Sequence, residues 1–313
     1  MTRLLIGVDL GGTNIRAAVA TGEATHGPSV HRATPAAEGP DAVLAAVVDC
    51  VREAAGKGRC DGLAIGIPGP LDPVTGVVYE APNLPGWHEV HARDVLAERL
   101  GCPVVVHNDA SLAGFAEWMA GAGRGTRHFV FITASTGIGG ALVLDGKLFD
   151  GAGRAGEIGH MPVGHDAPAC AQGHPGCLEG SASGTAIAHA ARAALKSGAA
   201  SSLAGIDPAA LDAHAVQQAA DAGDELARRV FADAARALGR AIGGLVNELA
   251  PECVAIGGGL INAGELLFAP MREAIPELAF VEPLKRCRIV AAELGTDAGL
   301  VGAIAWAVRC FAG

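Results

Sequence analysis

The apolar positions of this chain fall into short runs that end at glycine-rich turns. Residues 4–8 (LLIGV) precede the turn 9–14 (DLGGTN), and residues 15–19 (IRAAV) follow it. The same order of apolar run, glycine-rich turn and apolar run recurs around residues 135–140 (STGIGG). Both segments therefore predict a strand, a tight turn and a second strand.

Elsewhere, strand-like runs alternate with helical periodicity. Apolar runs at residues 63–67 and 254–256 predict strands, the first of them buried. The continuous apolar run at residues 103–106 predicts a parallel strand that is buried on both faces. Residues 151–180, rich in His, Cys, Gly and Pro, predict an irregular loop region. Helical spacing predicts helices at residues 41–55, about 88–100, from about 110 onward, about 208–249 and about 298–310. This alternation, with its repeated hairpin, predicts a duplicated α/β fold.

A glycine-rich segment at residues 121–125 predicts a domain boundary. We expect a smaller α/β domain at residues 1–116, joined by the C-terminal helix at residues 297–313. A larger α/β domain is then expected at residues 117–296.

Composition restricts the classes of function that remain open. Half of the 313 residues are apolar and 45 are glycine, which favours a folded protein with many tight turns. The net charge of −10, without an evident cluster of Lys or Arg, argues against nucleic-acid binding. Neither a membrane-spanning apolar run nor a cleavable leader is evident. We therefore expect a cytoplasmic protein whose eight cysteines are reduced.

The paired turns carry the first candidate chemistry. Glycine lets a backbone approach an anion closely, and Thr or Asn adds hydrogen-bond donors. Taken alone, each turn is more simply explained as an ordinary hairpin. Two such turns facing each other would hold a polyphosphate, and Asp9 would hold its magnesium ion. The pair therefore favours nucleotide binding.

Polar residues near strand ends supply candidate catalytic groups. Asp109 follows a buried strand, at the edge where open α/β sheets carry ligands, and would serve as the base that a kinase needs. The alternative is that Asn108 and Asp109 only cap the next helix. Hydrogen-bond donors and acceptors for the hydroxyls of a polyol would come from Asn108 together with Glu157, His160 and Glu179. The alternative is that the last three are solvated loop residues.

His160, Cys170 and Cys177 form a candidate zinc site, since Cys and His suit zinc. Structural zinc sites usually have four ligands. The nearby residues that would add a fourth are His165, Asp166, Gln172 and His174. The alternative is a loop with two free thiols.

Together these segments resemble the ROK family, which groups sugar kinases with related transcriptional repressors. The resemblance covers nearly the whole chain. The matching segments are residues 9–14, 67–70 (IPGP), 82–87 (PNLPGW), 108–110 (NDA), 136–140 (TGIGG), 157–160 (EIGH), 176–179 (GCLE) and 257–259 (GGG).

The resemblance implies an actin-like (ribonuclease H-like) duplicated two-domain fold with a central cleft that closes over sugar and ATP. It implies that Asp109 is the base for the sugar hydroxyl on C6 and that Asp9 orients Mg²⁺ through water. The residues implied to bind the sugar are Gly69, Asn108, Asp109, Glu157, His160 and Glu179. Those implied to bind ATP are Asp9, Gly11, Gly12, Thr13, Asn14, Thr136, Gly137, Gly258 and Gly259.

The implied activity is ATP-dependent phosphorylation of a hexose, with glucose expected as the substrate. Kinases for N-acetylmannosamine, N-acetylglucosamine or fructose are alternatives, and so is a sugar sensor of the repressor class without its DNA-binding domain. The family usually forms homodimers, and we expect neither a nucleic-acid nor a membrane partner.

Two positions depart from the family pattern. The family zinc motif usually reads C-x-C-G-x-x-G-C, and here Gln172 replaces the middle cysteine. The implied ligands of a structural zinc ion are therefore His160, Cys170 and Cys177, with one position open. Ser111 stands where the base motif often has a second asparagine.

Overall fold

The computed structural model describes residues 3–81, 83–164, 168–170 and 172–312. These residues include thirteen strands and ten α-helices. The strands are β1 (Leu5–Leu10), β2 (Asn14–Val19), β3 (Val30–Ala33), β4 (Gly62–Ile67), β5 (Leu71–Asp72), β6 (Val77–Glu80), β7 (His88–Val90), β8 (Val104–Asn108), β9 (Phe129–Ala134), β10 (Ile138–Leu144), β11 (Lys147–Phe149), β12 (Cys253–Gly257) and β13 (Arg288–Ala291). The helices are α1 (Pro40–Ala55), α2 (Ala92–Leu100), α3 (Asp109–Ala120), α4 (Leu178–Ala182), α5 (Gly184–Lys196), α6 (Ala213–Asp221), α7 (Glu225–Leu249), α8 (Glu265–Ala274), α9 (Val281–Arg286) and α10 (Ala298–Phe311). Among these described helices, none has the length and apolar character needed to span a membrane.

Two five-stranded sheets share one strand order. The first sheet is β3-β2-β1-β4-β8, in which β1, β4 and β8 are parallel and β2 is antiparallel to both of its neighbours. The second is β11-β10-β9-β12-β13, in which β9, β12 and β13 are parallel and β11 is antiparallel to β10. Ranked by order of appearance, the strands of both sheets read 3-2-1-4-5. The repeated order confirms the duplicated α/β fold.

The chain divides into two compact units. Unit 1 comprises Met1–Gly125, Ala141–Gly156 and Glu293–Gly313. Unit 2 comprises Thr126–Gly140 and Glu157–Ala292. The division falls inside β10, so this strand belongs to both units. The domain boundaries expected from the sequence, at residues 116–117 and 296–297, stay a prediction, since units defined by backbone contacts need not be domains.

Strand alternation gives β1 two different apolar faces in unit 1. Ile6, Val8 and Leu10 belong to the buried cluster that includes the apolar side of α1. Leu5 instead joins a cluster with Ala307 of α10. Because successive side chains of a strand point to opposite faces, α1 and α10 cover the two sides of this sheet.

Helix α10 packs directly on the backbone of β1 and α3. A methyl group added at Gly7 of β1 would lie 2.5 Å from the amide nitrogen of Ile304. One added at Gly302 of α10 would overlap the carbonyl oxygen of Leu112 in α3. Glycine at these two positions therefore permits backbone-to-backbone packing, and it places α10 against both elements that carry the predicted acidic site residues of unit 1.

A fully buried carboxylate joins the end of α3 to the segment before α10. Glu117 is 0% exposed. Its Oε2 accepts the amide N–H groups of Ala122 at 3.0 Å and Glu293 at 3.1 Å, and its Oε1 accepts that of Leu294 at 2.7 Å. Three backbone donors offset the cost of burying this group.

The helical predictions need two corrections. The helix expected from about residue 88 begins at Ala92, because residues 88–90 form β7 and pair with β6. The single helix expected over residues 208–249 is instead α6 and α7. The break comes at Gly223, whose φ of +98° ends the helical path, and at Asp224, which caps α7.

Asp224 holds the start of α7 through several donors. Its Oδ1 accepts the amide of Ala227 at 3.0 Å, and its Oδ2 accepts the amide of Ser202 at 2.7 Å. The hydroxyls of Ser202 and Ser201 also donate to Oδ2, at 2.8 and 2.9 Å. Partial burial opposes ionisation, but these donors outweigh it and hold the pKa of Asp224 well below its usual range.

We expect Asp224→Ala to lower the free energy of unfolding by about 1 kcal/mol, the usual effect of losing an N-cap. Because the folded-state pKa is lowered, this stabilisation is fully present above the ordinary Asp pKa of about 4 and is lost progressively as the pH falls from there through the folded-state pKa. Chemical denaturation at neutral pH and at about pH 3 measures the difference. Asp221→Ala, at an exposed position of α6, is the control. Equal midpoints for wild type and Asp224→Ala at neutral pH would contradict the prediction.

Candidate active site

Unit 1 places its predicted site residues at one edge of the first sheet. Asp9 lies near the end of β1, Gly69 follows β4, and Asn108 and Asp109 come at the end of β8. Because the carboxyl ends of parallel strands meet at the same sheet edge, these residues share that edge.

Arg16 and the start of α10 surround Asp9. Arg16 Nη2 lies 2.6 Å from Asp9 Oδ2, and Nη1 of the same guanidinium lies 3.3 Å from Asp297 Oδ1. A methyl group added at Gly299, in the first turn of α10, would lie 2.8 Å from both carboxylate oxygens of Asp9. The guanidinium and the positive end of the helix dipole thus face the Asp9 carboxylate.

The first glycine-rich turn, residues 11–14, is closed by a backbone bond. The Gly11 amide donates to the Asn14 carbonyl at 2.9 Å, and Thr34 Oγ1 donates to the Gly11 carbonyl at 2.7 Å. A methyl group added at Gly12 would lie 2.8 Å from Asn83 Cβ. The turn therefore packs closely against residues 82–87, one of the segments that match the family pattern, of which Pro82 lies outside the described residues.

Asn108 fixes the junction of β8 and α3. Its Oδ1 accepts the Ser111 amide at 3.0 Å, and its Nδ2 donates to the Gly69 carbonyl at 3.2 Å. The capping interpretation is confirmed for Asn108, since both ends of its side-chain amide bond within the protein. Asp109 is the first, partly buried residue of α3, and its Oδ1 accepts the Ala110 amide at 2.8 Å.

His107 supports this junction, although sequence reasoning missed it. Its Nδ1 accepts the Asn108 amide at 2.9 Å, and its ring meets Trp306 edge-on with centroids 5.1 Å apart. Burial lowers the pKa of His107 to about 4, against the opposing effect of Asp150, so the ring is neutral at pH 7. In the sequence, the position of His107 directly before Asn108 is the one signal that could have identified it.

In unit 2, the second glycine-rich turn lies against the start of α5. The Ser135 amide donates to the Gly137 carbonyl at 2.9 Å, and the Gly184 amide donates to the Ser135 carbonyl at 2.7 Å. Thr185 Oγ1 donates to the Thr136 carbonyl at 2.9 Å. The turn therefore sits at the amino end of a helix, which favours an anion.

Glu179, one of the residues predicted to bind the sugar, contacts this turn. It lies in the first turn of α4, and its Oε2 accepts the Ile138 amide at 2.9 Å. A methyl group added at Gly137 would lie 2.6 Å from the same oxygen. The Glu179 carboxylate therefore contacts the second glycine-rich turn directly.

Glu157 shares its electrostatic environment with His160 and Glu179. Desolvation by the surrounding protein raises the pKa of Glu157, while His160 lowers it and the Glu179 carboxylate raises it further. The Glu157 side chain nevertheless keeps access to solvent. The three predicted sugar-binding residues of unit 2 therefore come together.

A cavity of about 510 Å³ in unit 2 opens beside Thr136 and Gly259. Gly258, with φ of +84°, lies against Ala134 at the end of β9. The polar side chains that line this cavity were not predicted from the sequence, because they come from separate segments and no short motif contains them. The segments are α5, α6, the loops that flank these helices and the loop after β12. The polar lining residues are Arg192, Asp212, His214, Gln217 and Asn262.

A second cavity of about 660 Å³ lies at the amino-terminal ends of β9, β12 and β13. Arg127, Arg286 and Arg288 line it together with Glu252. The lining includes none of the predicted site residues, so this cavity does not coincide with the candidate site.

Unit 2 also brings potential metal ligands together. Cys170 Sγ lies 3.9 Å from His160 Nδ1 and 3.7 Å from His174 Nδ1, and the two nitrogens are 3.3 Å apart. Burial and the neighbouring Cys170 thiol raise the pKa of Cys177, and its Sγ accepts the Gly180 amide at 3.5 Å. Cys177 lies outside the close cluster formed by His160, Cys170 and His174, whose ligand atoms are all within 4.8 Å of one another. These donor types and separations fit a zinc ion.

Of the residues considered as a fourth ligand, Gln172 and His174 are both exposed, and His165 and Asp166 lie outside the described residues. His174 alone among the four is found in the described cluster of potential ligand atoms.

A family model and several known proteins match this chain over most of its length. The model of the ROK family matches residues 5–309. A glucokinase of Thermotoga maritima is 38% identical over 303 residues, which cover 96% of this chain and 95% of that protein.

Two solved structures match over nearly their full length. A ROK hexokinase from Thermus thermophilus is 33% identical, with a TM-score of 0.84 and 99% of both chains covered. A ROK family glucokinase from Streptomyces griseus, in complex with glucose and AMPPNP, is 34% identical, with a TM-score of 0.82, 98% of this chain and 99% of that chain covered. These matches confirm the actin-like fold class, and with the family model they show that the chain belongs to the ROK family.

Proposed function

We propose that this protein is an ATP-dependent sugar kinase that converts glucose to glucose 6-phosphate. The observation that carries the proposal is the Asn108–Asp109 junction at the carboxyl end of β8. This junction belongs to a chain that is similar over 98% of its length to a glucokinase solved with glucose and AMPPNP.

Asp109 is the proposed general base. Its carboxylate takes the proton of the C6 hydroxyl as that oxygen forms a bond to the γ-phosphorus of ATP, and the bond from phosphorus to ADP breaks. Asn108 holds Asp109 in place through its bonds to Ser111 and Gly69. His107 supports the same backbone as a neutral ring.

Each unit carries its own set of proposed sugar-binding residues. Gly69, Asn108 and Asp109 are the proposed contacts of unit 1, and Glu157, His160 and Glu179 are those of unit 2. Because Glu179 Oε2 already accepts the Ile138 amide, we assign its Oε1 to a sugar hydroxyl. Carboxylates and an imidazole suit this role, since a neutral sugar offers hydroxyl donors and acceptors.

The two glycine-rich turns are the proposed phosphate sites. Residues 11–14 and Thr136 with Gly137 would bind the phosphates, and the amino end of α5 supports the second turn. Gly258, Gly259 and the adjoining cavity of about 510 Å³ would take the adenosine. Bound Mg²⁺ would neutralise phosphate charge, and Asp9 would orient it through water.

A structural zinc ion is proposed with His160, Cys170 and Cys177 as ligands, of which His160 and Cys170 belong to the close cluster of potential ligand atoms. His160 Nδ1 faces this cluster, which leaves Nε2 for a sugar hydroxyl. Zinc would fix the tautomer and orientation of the His160 ring. It would take no part in the transfer of the phosphoryl group.

We also propose a homodimer in the cytoplasm, without nucleic-acid or membrane partners. Three apolar side chains at the end of unit 2 support a protein interface, since Leu278 is 53%, Phe280 71% and Val281 65% exposed. All eight cysteines are free of disulfides, which supports a reducing compartment.

A coupled assay for ADP with a panel of sugars tests the activity. We expect glucose to give the highest kcat/KM among glucose, fructose, N-acetylmannosamine and N-acetylglucosamine. A higher value for an amino sugar would replace glucose as the substrate. Sugar binding without ADP formation would instead favour the sensor class.

Asp109→Asn should retain glucose binding but lose about 10²–10⁴-fold in kcat, because general-base catalysis typically contributes that factor. Calorimetry with glucose and the ADP assay measure the two effects separately. Asp49→Asn, at an exposed position of α1, is the matched control and should leave kcat unchanged. Near-normal turnover of Asp109→Asn would exclude Asp109 as the base.

Gly299→Ala should displace the Asp9 carboxylate, which lies 2.8 Å from where the new methyl group would be. We expect the Mg²⁺ concentration for half-maximal activity to rise at least about tenfold, as when an outer-shell partner of a metal is lost. The KM for glucose should change little. Gly244→Ala, where a methyl group meets no atom within 4 Å among the described residues, is the control. An unchanged Mg²⁺ titration in folded Gly299→Ala would exclude this role for Asp9.

Phe280→Glu should convert the dimer to a monomer, because a charge would be buried in an apolar interface. Light scattering over a range of concentrations measures the mass. Phe149→Glu, at an exposed position of unit 1 that is 48% accessible, should remain dimeric. Wild-type protein that is monomeric at every concentration would overturn the proposed dimer.

A further inference from the structure

The zinc motif of this chain lacks one thiol, and the structure places an imidazole beside the remaining ligands. We propose that His174 is a zinc ligand that replaces the cysteine missing at position 172. The centre would then comprise two imidazoles and two thiolates, from His160, Cys170, His174 and Cys177. This inference depends on the proposed structural zinc but not on which sugar is phosphorylated.

The separations of the ligand atoms support His174. In a tetrahedral zinc site, bond lengths of about 2.0–2.1 Å to nitrogen and 2.3 Å to sulfur place two nitrogens about 3.3 Å apart, and nitrogen and sulfur about 3.6 Å apart. The Nδ1 atoms of His160 and His174 are 3.3 Å apart. Cys170 Sγ lies 3.9 Å from Nδ1 of His160 and 3.7 Å from Nδ1 of His174. One ion would therefore reach all three atoms with small adjustments.

A tight turn brings His174 over Cys170. The Gly173 amide donates to the Cys170 carbonyl at 2.9 Å, and the Cys170 amide donates to the His174 carbonyl at 3.1 Å. Gly173 adopts φ of +83°, which glycine accepts readily. These two bonds close the loop so that its first and last side chains, Cys170 and His174, meet.

A second backbone pairing joins the other two ligands. The Leu178 amide donates to the Met161 carbonyl, and the Val163 amide donates to the Gly176 carbonyl, both at 2.9 Å. The segment after His160 therefore runs beside the segment that contains Cys177. The Cys177 sulfur accepts the Gly180 amide at 3.5 Å, a contact that also suits a thiolate.

The replacement changes the charge of the centre. Zn²⁺ with three thiolates and one neutral imidazole carries a net charge of −1, whereas two thiolates and two neutral imidazoles make the centre neutral. Glu157 and Glu179 act electrostatically in the same region as His160. A neutral centre adds no further negative charge next to these two carboxylates.

A metal-free arrangement is the alternative. At 3.3 Å, one histidine nitrogen would donate to the other and hold the rings at their interplanar angle of 80° without an ion. In that case, removing His174 would leave the zinc content unchanged.

Metal analysis of protein purified without a His-tag separates these two cases. We expect about one zinc per chain in wild type, retained in Gln172→Ala and in His189→Ala, an exposed histidine of α5. In His174→Ala, competition with a chromophoric chelator should show zinc affinity at least about tenfold weaker. An unchanged affinity would overturn the role of His174 while leaving the zinc itself in place.

Wild type that cannot be loaded with zinc would overturn the metal site altogether, whereas the sugar-kinase proposal is judged separately by ADP formation. His174→Cys keeps the test valid if His174→Ala fails to fold. In Co²⁺-loaded protein, the thiolate-to-cobalt absorption band should strengthen in His174→Cys, because the number of thiolate ligands rises from two to three. An unchanged band in His174→Cys would overturn the proposal.

Discussion

Backbone-to-backbone packing of α10 is the constraint on which the site of unit 1 depends. The helix contacts β1 and α3 at Gly7 and Gly302, where even a methyl group would overlap backbone atoms. Asp9 and Asp109 stand on these two elements, so both acids take their positions from one helix near the end of the chain. Because protein interiors are close-packed, such contacts leave little room for adjustment.

The repeated sheet explains why chemistry recurs at corresponding places. In each sheet, the first strand leads into a glycine-rich turn, and the fourth and fifth strands in sequence run parallel to the first. Each turn is then stabilised differently. Thr34 anchors the turn of unit 1, whereas α5 and Glu179 hold the turn of unit 2.

The sequence predicts those parts of the fold and site that local patterns encode. The two turns, the strand before Asn108 and the capping role of Asn108 follow from short-range spacing. His107 and the cavity residues Arg192 and Gln217 could not be found in this way, because their surroundings come from distant segments. His174 was one of several candidates, and only the folded loop separates it from Gln172. The break between α6 and α7 was missed although Gly223 marks it.

Glu179 has a consequence for how the preference for one sugar can evolve. Its Oε2 holds the Ile138 amide, so the residue proposed to read a sugar hydroxyl also shapes the turn at Thr136 and Gly137. A substitution there alters two ligand sites at once. A substitution of Glu179 that changes the preferred sugar would therefore also weaken nucleotide binding. The solvent-accessible Glu157 is freer to vary in this respect.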